Sequence, residues 1–165
     1  MDCLPPPLEV LSKRVILSNR MKKVLFLCKG NSCRSQMAEA IVNARLGDRW
    51  QAFSAGTRPA GYVHPMAIQV LQEIGIEHHG RSKSIEEIRD IPFNLVVTVC
   101  DSAAEECPVW LGAGQRVHMG FPDPAHVTGT WEAVVREFRD VRDAIAEKMA
   151  ELLVSGDDHA HLGNQ

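Results

Sequence analysis

Aromatic residues are scarce in this chain, 5% of 165 residues with a single tyrosine, Tyr62. A pocket walled by aromatic rings would have few side chains to draw on. No apolar run approaches the ~18 residues that a membrane-spanning helix needs. The net charge of −3 gives neither the basic footprint of a nucleic-acid binder nor attraction to an anionic membrane. Five cysteines are an odd number, and Asp2, Glu9, Lys13 and Arg14 interrupt any secretory leader core. Reduced thiols in the cytoplasm are therefore expected rather than a disulfide scaffold. The length suits one soluble domain with a single core, and a monomer is expected.

What the chain does have is concentrated at Val24–Glu39, VLFLCKGNSCRSQMAE. Lys23 to Leu27 does not alternate, which fits a buried parallel strand. Arg34 then opens a segment with helical apolar spacing at Met37, Ala40, Ile41 and Ala44. Strand, loop and helix follow in order, with Cys28 at the first loop position and Arg34 at the last.

Such a loop, formed by Lys29, Gly30, Asn31, Ser32, Cys33 and Arg34, suits an oxyanion. It points backbone N–H groups into one concavity, and the helix dipole adds positive potential. Gly30 permits a tight turn, and Asn31 tolerates left-handed φ. Arg34 can grip two oxygens of a tetrahedral anion. The same donors favour the nucleophilic thiolate of Cys28, to which Ser35 can donate a hydrogen bond. The plain alternative is a buried cysteine at a strand end, followed by an ordinary helix.

The rest of the chain alternates strands and helices. Residues 1–20, with Pro5-Pro6-Pro7, are expected to be a flexible extension carrying a turn or two over 8–17, and Met21 is an alternative start. Trp50 to Ser54 reads as a strand. His64-Pro65 starts a helix, His64 serving as cap or surface residue, and Gly75 stops it. A short helix over Ser84–Arg89 precedes the buried strand Phe93–Cys100, and Arg116–His118 is the last strand. Thr130 caps a helix from Trp131 to Val154, whose apolar stripe runs from Trp131 through Phe138 to Leu153 and stops at Ser155-Gly156. The main domain is thus 21–156, with a flexible tail over 157–165. The pattern predicts an α/β fold, a three-layer sandwich around a four-stranded parallel sheet. Ligands of such sheets sit beyond the carboxyl ends of the strands, where Cys28 and Cys100 both fall.

Cys28-Lys-Gly-Asn-Ser-Cys-Arg34-Ser resembles the phosphate loop of the low-molecular-weight protein tyrosine phosphatase fold. Gln36-Met37-Ala38-Glu39, with Gln36 where phosphatases usually carry Pro, is similar to the thioredoxin-coupled arsenate reductases of that fold. Ser54-Ala55-Gly56-Thr57 also resembles the family, and the likeness runs from about Met21 to the end of the last helix. Lys29 departs from the pattern, standing where Thr is expected, and adds a mobile cation at the pocket mouth.

The resemblance implies an arsenate reductase with no tightly bound cofactor, taking arsenate and competing phosphate or sulfate, with thioredoxin as electron donor. It makes Cys28, Cys100 and Cys107 a three-thiol relay that excludes Cys33, and gives Asp123, at the Asp-Pro position, the role of general acid. Asn31, Glu39 and Ser54 match positions that hold a potassium ion in some of these reductases. Read alone, Cys100-x6-Cys107 is no zinc pattern, since two further ligands at matching spacing are missing, and it could be two unrelated core cysteines. Asp101 to Glu106 has the caps and propensity for a short helix in the reduced protein. Across such a helix the two Cα atoms would stand roughly 10 Å apart, and a disulfide needs about 7 Å or less, so closing the bridge must unwind it. A rival reading is a phosphatase using Cys28, Arg34 and Asp123 alone. A third is an oxyanion-binding or redox-sensing module, for which neither terminus offers an interaction surface.

Overall fold

The protein, a computed structural model, is described over residues 21–101 and 106–159, with side chains to Ser155. The extension 1–20 and most of the helix expected between Cys100 and Cys107 lie outside the described residues. Strand β1 (Lys22–Cys28) leads through the loop into helix α1 (Arg34–Arg45), strand β2 (Trp50–Gly56) and helix α2 (Pro65–Glu73). A 3₁₀ turn (Ile85–Glu87), strands β3 (Leu95–Thr98) and β4 (Gln115–His118), a second 3₁₀ turn (Pro124–His126) and helix α3 (Trp131–His159) complete the chain.

All four strands are parallel, in the order β2-β1-β3-β4. The chain steps from β1 to β2 in one direction, and β3 then pairs on the opposite edge of β1. That reversal opens a crevice at the carboxyl ends of β1 and β3, the place where open parallel sheets bind ligands. Leu27 pairs with Thr98, and the Val99 N–H donates to the Leu27 carbonyl at 2.9 Å. Cys28 and Cys100 therefore emerge side by side on the same rim.

Val24 to Leu27 have no exposed surface, because β1 is covered on both faces. Val24 and Phe26 pack with Leu95 and Val97 against residues of all three helices. Leu25 and Leu27 face the other way, into a smaller cluster with Ala55, Ile88, Phe93, Val96 and Trp110. Phe93 meets Phe53 and Trp110 edge to face at 5.5 and 5.7 Å. Among the described residues this second layer is one 3₁₀ turn and loops, with no α-helix. The Ser84–Arg89 segment contracts to that turn, held by a capping box between Ser84 and Glu87.

Most helix signals hold. His64 Nδ1 accepts the Met66 N–H at 3.1 Å, Thr130 Oγ1 accepts that of Ala133 at 3.2 Å, and Gly75 follows α2 at φ 79. Three expectations are corrected. Ala44 is exposed: in the last turn it is Asn43 that meets the sheet, exchanging two hydrogen bonds with Ala52 of β2. Trp131 is 62% exposed, since the stripe of α3 meets the core from Val134 onward. Helix α3 also runs past the expected stop at Ser155-Gly156 to His159. One helical glycine costs only about 1 kcal/mol, too little to end so long a helix.

Helix α3 locks α1 and α2 onto the sheet. Phe138 has no exposed surface and its ring lies 4.8 Å from that of His64. Arg142 donates to the Val70 carbonyl at 2.8 Å and to Glu73 at 3.2 Å. Phe138→Ala should lower unfolding stability by about 3–5 kcal/mol in a denaturant titration, through lost burial and an unfilled cavity. A loss under about 1 kcal/mol would mean that α3 is not the lock.

Candidate functional site

A cavity of about 460 Å³ opens at the crevice, lined by Cys28, Lys29, Gly30, Ser32, Cys33, Arg34, Arg58, Glu106, Asp123 and His126. Every residue expected in the oxyanion loop lies on its wall except Asn31, which is wholly buried beneath it.

The aim of the loop's N–H groups follows from its carbonyls. Those of Lys29, Gly30 and Ser32 accept from the N–H groups of Arg58, Ala60 and His64, each at 2.9 Å. The carbonyl of Asn31 accepts from Gln36 Nε2 at 3.1 Å. In a trans peptide the next residue's N–H points opposite the carbonyl. With all four carbonyls tied outward, the N–H groups of Gly30, Asn31, Ser32 and Cys33 turn inward. That of Asn31 donates to Cys28 Sγ at 3.2 Å. The chain pays for this curl at Asn31, with φ 48, as its residue type allowed. Gly30 needs no positive φ and has room for a Cβ, so its expected role in the turn is corrected. Gly56, at the end of β2, is the glycine that matters: a Cβ there would collide with the Lys29 carbonyl.

Cys28 is almost fully buried, and Ser35 Oγ lies 2.9 Å from its sulfur. Asn31 Nδ2 donates to the same hydroxyl at 2.8 Å, which holds that oxygen where its proton can serve a Cys28 thiolate. Behind it, Gln36 Nε2 donates to Asn31 Oδ1 at 3.0 Å, and His78 Nε2 stands 2.7 Å from Gln36 Oε1. An amide oxygen only accepts, so His78 carries its proton on Nε2. Burial, with Lys83 and His79 nearby, holds the His78 pKa below the usual value and keeps the ring neutral.

Arg34 is 3% exposed, its guanidinium fixed by the Phe121 carbonyl at 3.1 Å and by Asp123 Oδ2 at 3.3 Å. Asp123 thus sits on the rim, where the acid role implied by the resemblance needs it, and it is a turn residue as well: its Oδ1 accepts the Ala125 N–H at 3.0 Å. His126 Nε2 lies 3.3 Å from its other oxygen. Lys29 is exposed at the mouth, beside Arg58. Arg58, Glu106 and His126 carried no sequence signal; they arrive through β2, the Cys107 segment and the turn after Asp123.

Cys100 and Cys107 are joined in a disulfide with Cα atoms 5.8 Å apart. Asp101 and Glu106 lie outside any helix. Cys107, Pro108 and Val109 line a second hollow with Lys29, Thr57 and Arg58, so the bridge abuts the rim of the loop.

The expected cation position is built differently. Ser54 Oγ donates to Glu39 Oε2 at 2.9 Å, but Asn31 Oδ1 already accepts from Gln36 and from the Lys83 N–H, both at 3.0 Å. Both lone pairs of that oxygen are used. Lys83 Nζ stands 4.0 Å from Glu39 Oε1, and His78 lies 3.9 Å from Oε2. Asn31, Glu39 and Ser54 as arranged do not fit a potassium ion. Burial still raises the Glu39 pKa above its ordinary value, with Lys83 and Ser54 opposing.

Two free cysteines share the loop, and burial pushes the Cys33 pKa up to about 12. A thiol with so high a pKa stays protonated at neutral pH and reacts poorly. Iodoacetamide at pH 7–8 should therefore label Cys28 and spare Cys33, with Cys33 reacting only as pH approaches its pKa. Equal labelling at pH 7, read by peptide mass mapping, would contradict this ordering.

Residues 23–162 match the family model described as low molecular weight phosphotyrosine protein phosphatase. An arsenate reductase of Bacillus subtilis is 42% identical over 137 residues, covering 82% of this chain and 97% of that protein. One from Halalkalibacterium halodurans is 43% identical over 136 residues, with the same coverage. A solved structure described as an arsenate reductase in the phosphate binding state aligns with TM-score 0.69 at 30% identity, covering 82% of this chain and 98% of that one. Loop, sheet order and relatives agree: the chain belongs to the low-molecular-weight phosphotyrosine protein phosphatase family.

Proposed function

We propose that the protein reduces arsenate to arsenite through Cys28, Cys100 and Cys107. The observation that carries this reading is the Cys100–Cys107 bridge set against the rim of the Cys28 loop. A phosphatase needs the loop, Arg34 and an acid, and has no use for a redox pair there. The naming of its relatives as arsenate reductases supports the same reading.

Arsenate has the tetrahedral shape of phosphate, so the inward N–H groups and Arg34 cradle it, and phosphate and sulfate compete. The Cys28 thiolate attacks arsenic, and Asp123 protonates the departing oxygen. Cys100 thiolate then attacks Cys28 sulfur. The arsenic–sulfur bond breaks, its electron pair stays on arsenic, and arsenic(V) leaves as arsenic(III). Cys107 attacks Cys100 sulfur, expelling Cys28 as thiolate and closing the Cys100–Cys107 bridge.

An external dithiol, of which thioredoxin is the type, reopens the bridge. Val109 and Leu111, 71% and 90% exposed just beyond Cys107, give such a donor an apolar landing beside the sulfur. Lys83 rather than a bound potassium ion balances Glu39, and the enzyme works without a tightly bound cofactor. The free thiols of Cys28 and Cys33 suit the cytoplasm.

The order of thiol attacks gives the test. Cys107→Ser should complete one turnover and trap a Cys28–Cys100 disulfide, and Cys28→Ser should release no arsenite. Peptide mapping after arsenate exposure reads both. A Cys28–Cys107 bond in the wild type would overturn the order, and turnover by Cys28→Ser would overturn the nucleophile.

A further inference from the structure

Asn31 anchors the oxyanion loop, and the amide that grips Asn31 must itself be fixed. That amide belongs to Gln36, in the first turn of α1, with no exposed surface. Three oxygens surround its Nε2: the Asn31 carbonyl at 3.1 Å, Asn31 Oδ1 at 3.0 Å and the Arg81 carbonyl at 3.1 Å. So many acceptors require the nitrogen there, which puts Gln36 Oε1 on the far side, 2.7 Å from His78 Nε2. The His78 side chain is 9% exposed and that of His79 is 90% exposed, so the chain turns one of two adjacent histidines inward. Gly80 passes directly over the contact, and a Cβ there would collide with both His78 Nε2 and Gln36 Oε1.

We propose that His78 is a positioning residue for the chemistry of Cys28, its Nε2–H locking the Gln36 amide so that Asn31 holds the loop and Ser35 in place. The path runs from His78 to Gln36, Asn31, Ser35 and the Cys28 sulfur, with links of 2.7, 3.0, 2.8 and 2.9 Å. Without the ring N–H, the buried Gln36 Oε1 loses its donor. A buried amide oxygen left unpaired is costly, and turning the amide over relieves it. The turn sets that oxygen against the two oxygens of Asn31, whose side chain is then free to leave Ser35. The Asn31 carbonyl loses its tie as well, and with it the inward aim of the Ser32 N–H. Thiolate and oxyanion cradle weaken together.

The ring acts by its donor and not by its charge, since protonation adds a proton at Nδ1 and leaves Nε2–H where it is. Glu39, Lys83 and His79 are the charged or titratable groups around it. Glu39 Oε2, at 3.9 Å, is too far to take the Nε2 proton from Gln36. His78 is not among the residues that line the oxyanion cavity, so its influence passes through Gln36. The inference rests on Cys28 as the nucleophile of the proposed function. It applies to arsenate reduction and phosphoester hydrolysis alike, and its test uses neither arsenate nor a reductant. It can therefore fail while the arsenate reading stands.

The test alkylates the full-length, bridged protein with iodoacetamide across a pH series, with and without inorganic phosphate, and reads each cysteine by peptide mass mapping. His78→Phe keeps a ring and removes the donor, whereas His78→Gln restores an N–H near the place of Nε2. In His78→Phe, Cys28 labelling at pH 7 should slow by about tenfold and its pH–rate profile should move to higher pH. Protection of Cys28 by phosphate should need about threefold more phosphate or worse. His78→Gln should return all three to near the wild type. Cys33 reports the fold, because it stays unlabelled at pH 7 while its surroundings remain closed. If Cys33 labels in His78→Phe, the reading passes to Gly80→Ala, which wedges the pair apart, keeps the ring and should slow Cys28 likewise. Unchanged labelling and protection with Cys33 still spared, or slowing that His78→Gln does not reverse, would overturn the proposal and leave His78 a packing residue. An unreactive Cys28 in the wild type would overturn the nucleophile, and this inference with it.

Discussion

The catalytic loop is held by the side-chain amide of one buried asparagine. Asn31 has no exposed surface, occupies the left-handed region, and uses every polar atom it has. Its N–H meets Cys28 sulfur, its Nδ2 meets Ser35, its Oδ1 takes hydrogen bonds from Gln36 and Lys83, and its carbonyl takes one from Gln36. A buried polar group left unpaired costs about 1–3 kcal/mol, so a network this closed has few arrangements available to it. The curl of the loop and the direction of its N–H groups follow from that closure. So does the placing of the Ser35 hydroxyl beside the Cys28 sulfur.

The sheet supplies what the loop cannot. Parallel strands with a reversed order open a crevice between β1 and β3, and the register there sets Cys28 beside the exit to Cys100. Oxyanion binding and thiol exchange are thus neighbours by topology. A strand slip of one residue would send Cys28 to the opposite face of the sheet, next to Leu25 and Leu27. Complete burial of both faces of β1 makes such a slip prohibitive.

The parts that were legible in the sequence were local ones. Apolar runs marked β1 and β3, and Asn31, His64, Gly75 and Thr130 marked the curl, two caps and a helix stop. What escaped depends on contacts far apart in the chain. Gln36 was noted only as a difference from phosphatases, and its link to His78 crosses 42 positions. Lys83 reaches Asn31 across 52 positions, and that contact, invisible in any motif, removes the lone pair a cation would need. The pairing of Asp123 with Arg34 spans 89 positions, and its second oxygen closes a local turn at Ala125, so no short motif carries both sets of contacts. Gly30 drew attention by its place in the motif, whereas steric necessity falls on Gly56, across the strand end.

The union of an oxyanion loop with a redox pair is tested most directly by NADPH oxidation in the presence of thioredoxin and its reductase. The same assay with glutaredoxin and glutathione runs beside it. Oxidation should depend on both arsenate and thioredoxin, and should stop when either is left out. Brisk hydrolysis of aryl phosphates with no arsenate-dependent NADPH oxidation would contradict it, and would leave the Cys100–Cys107 bridge without a part in the chemistry.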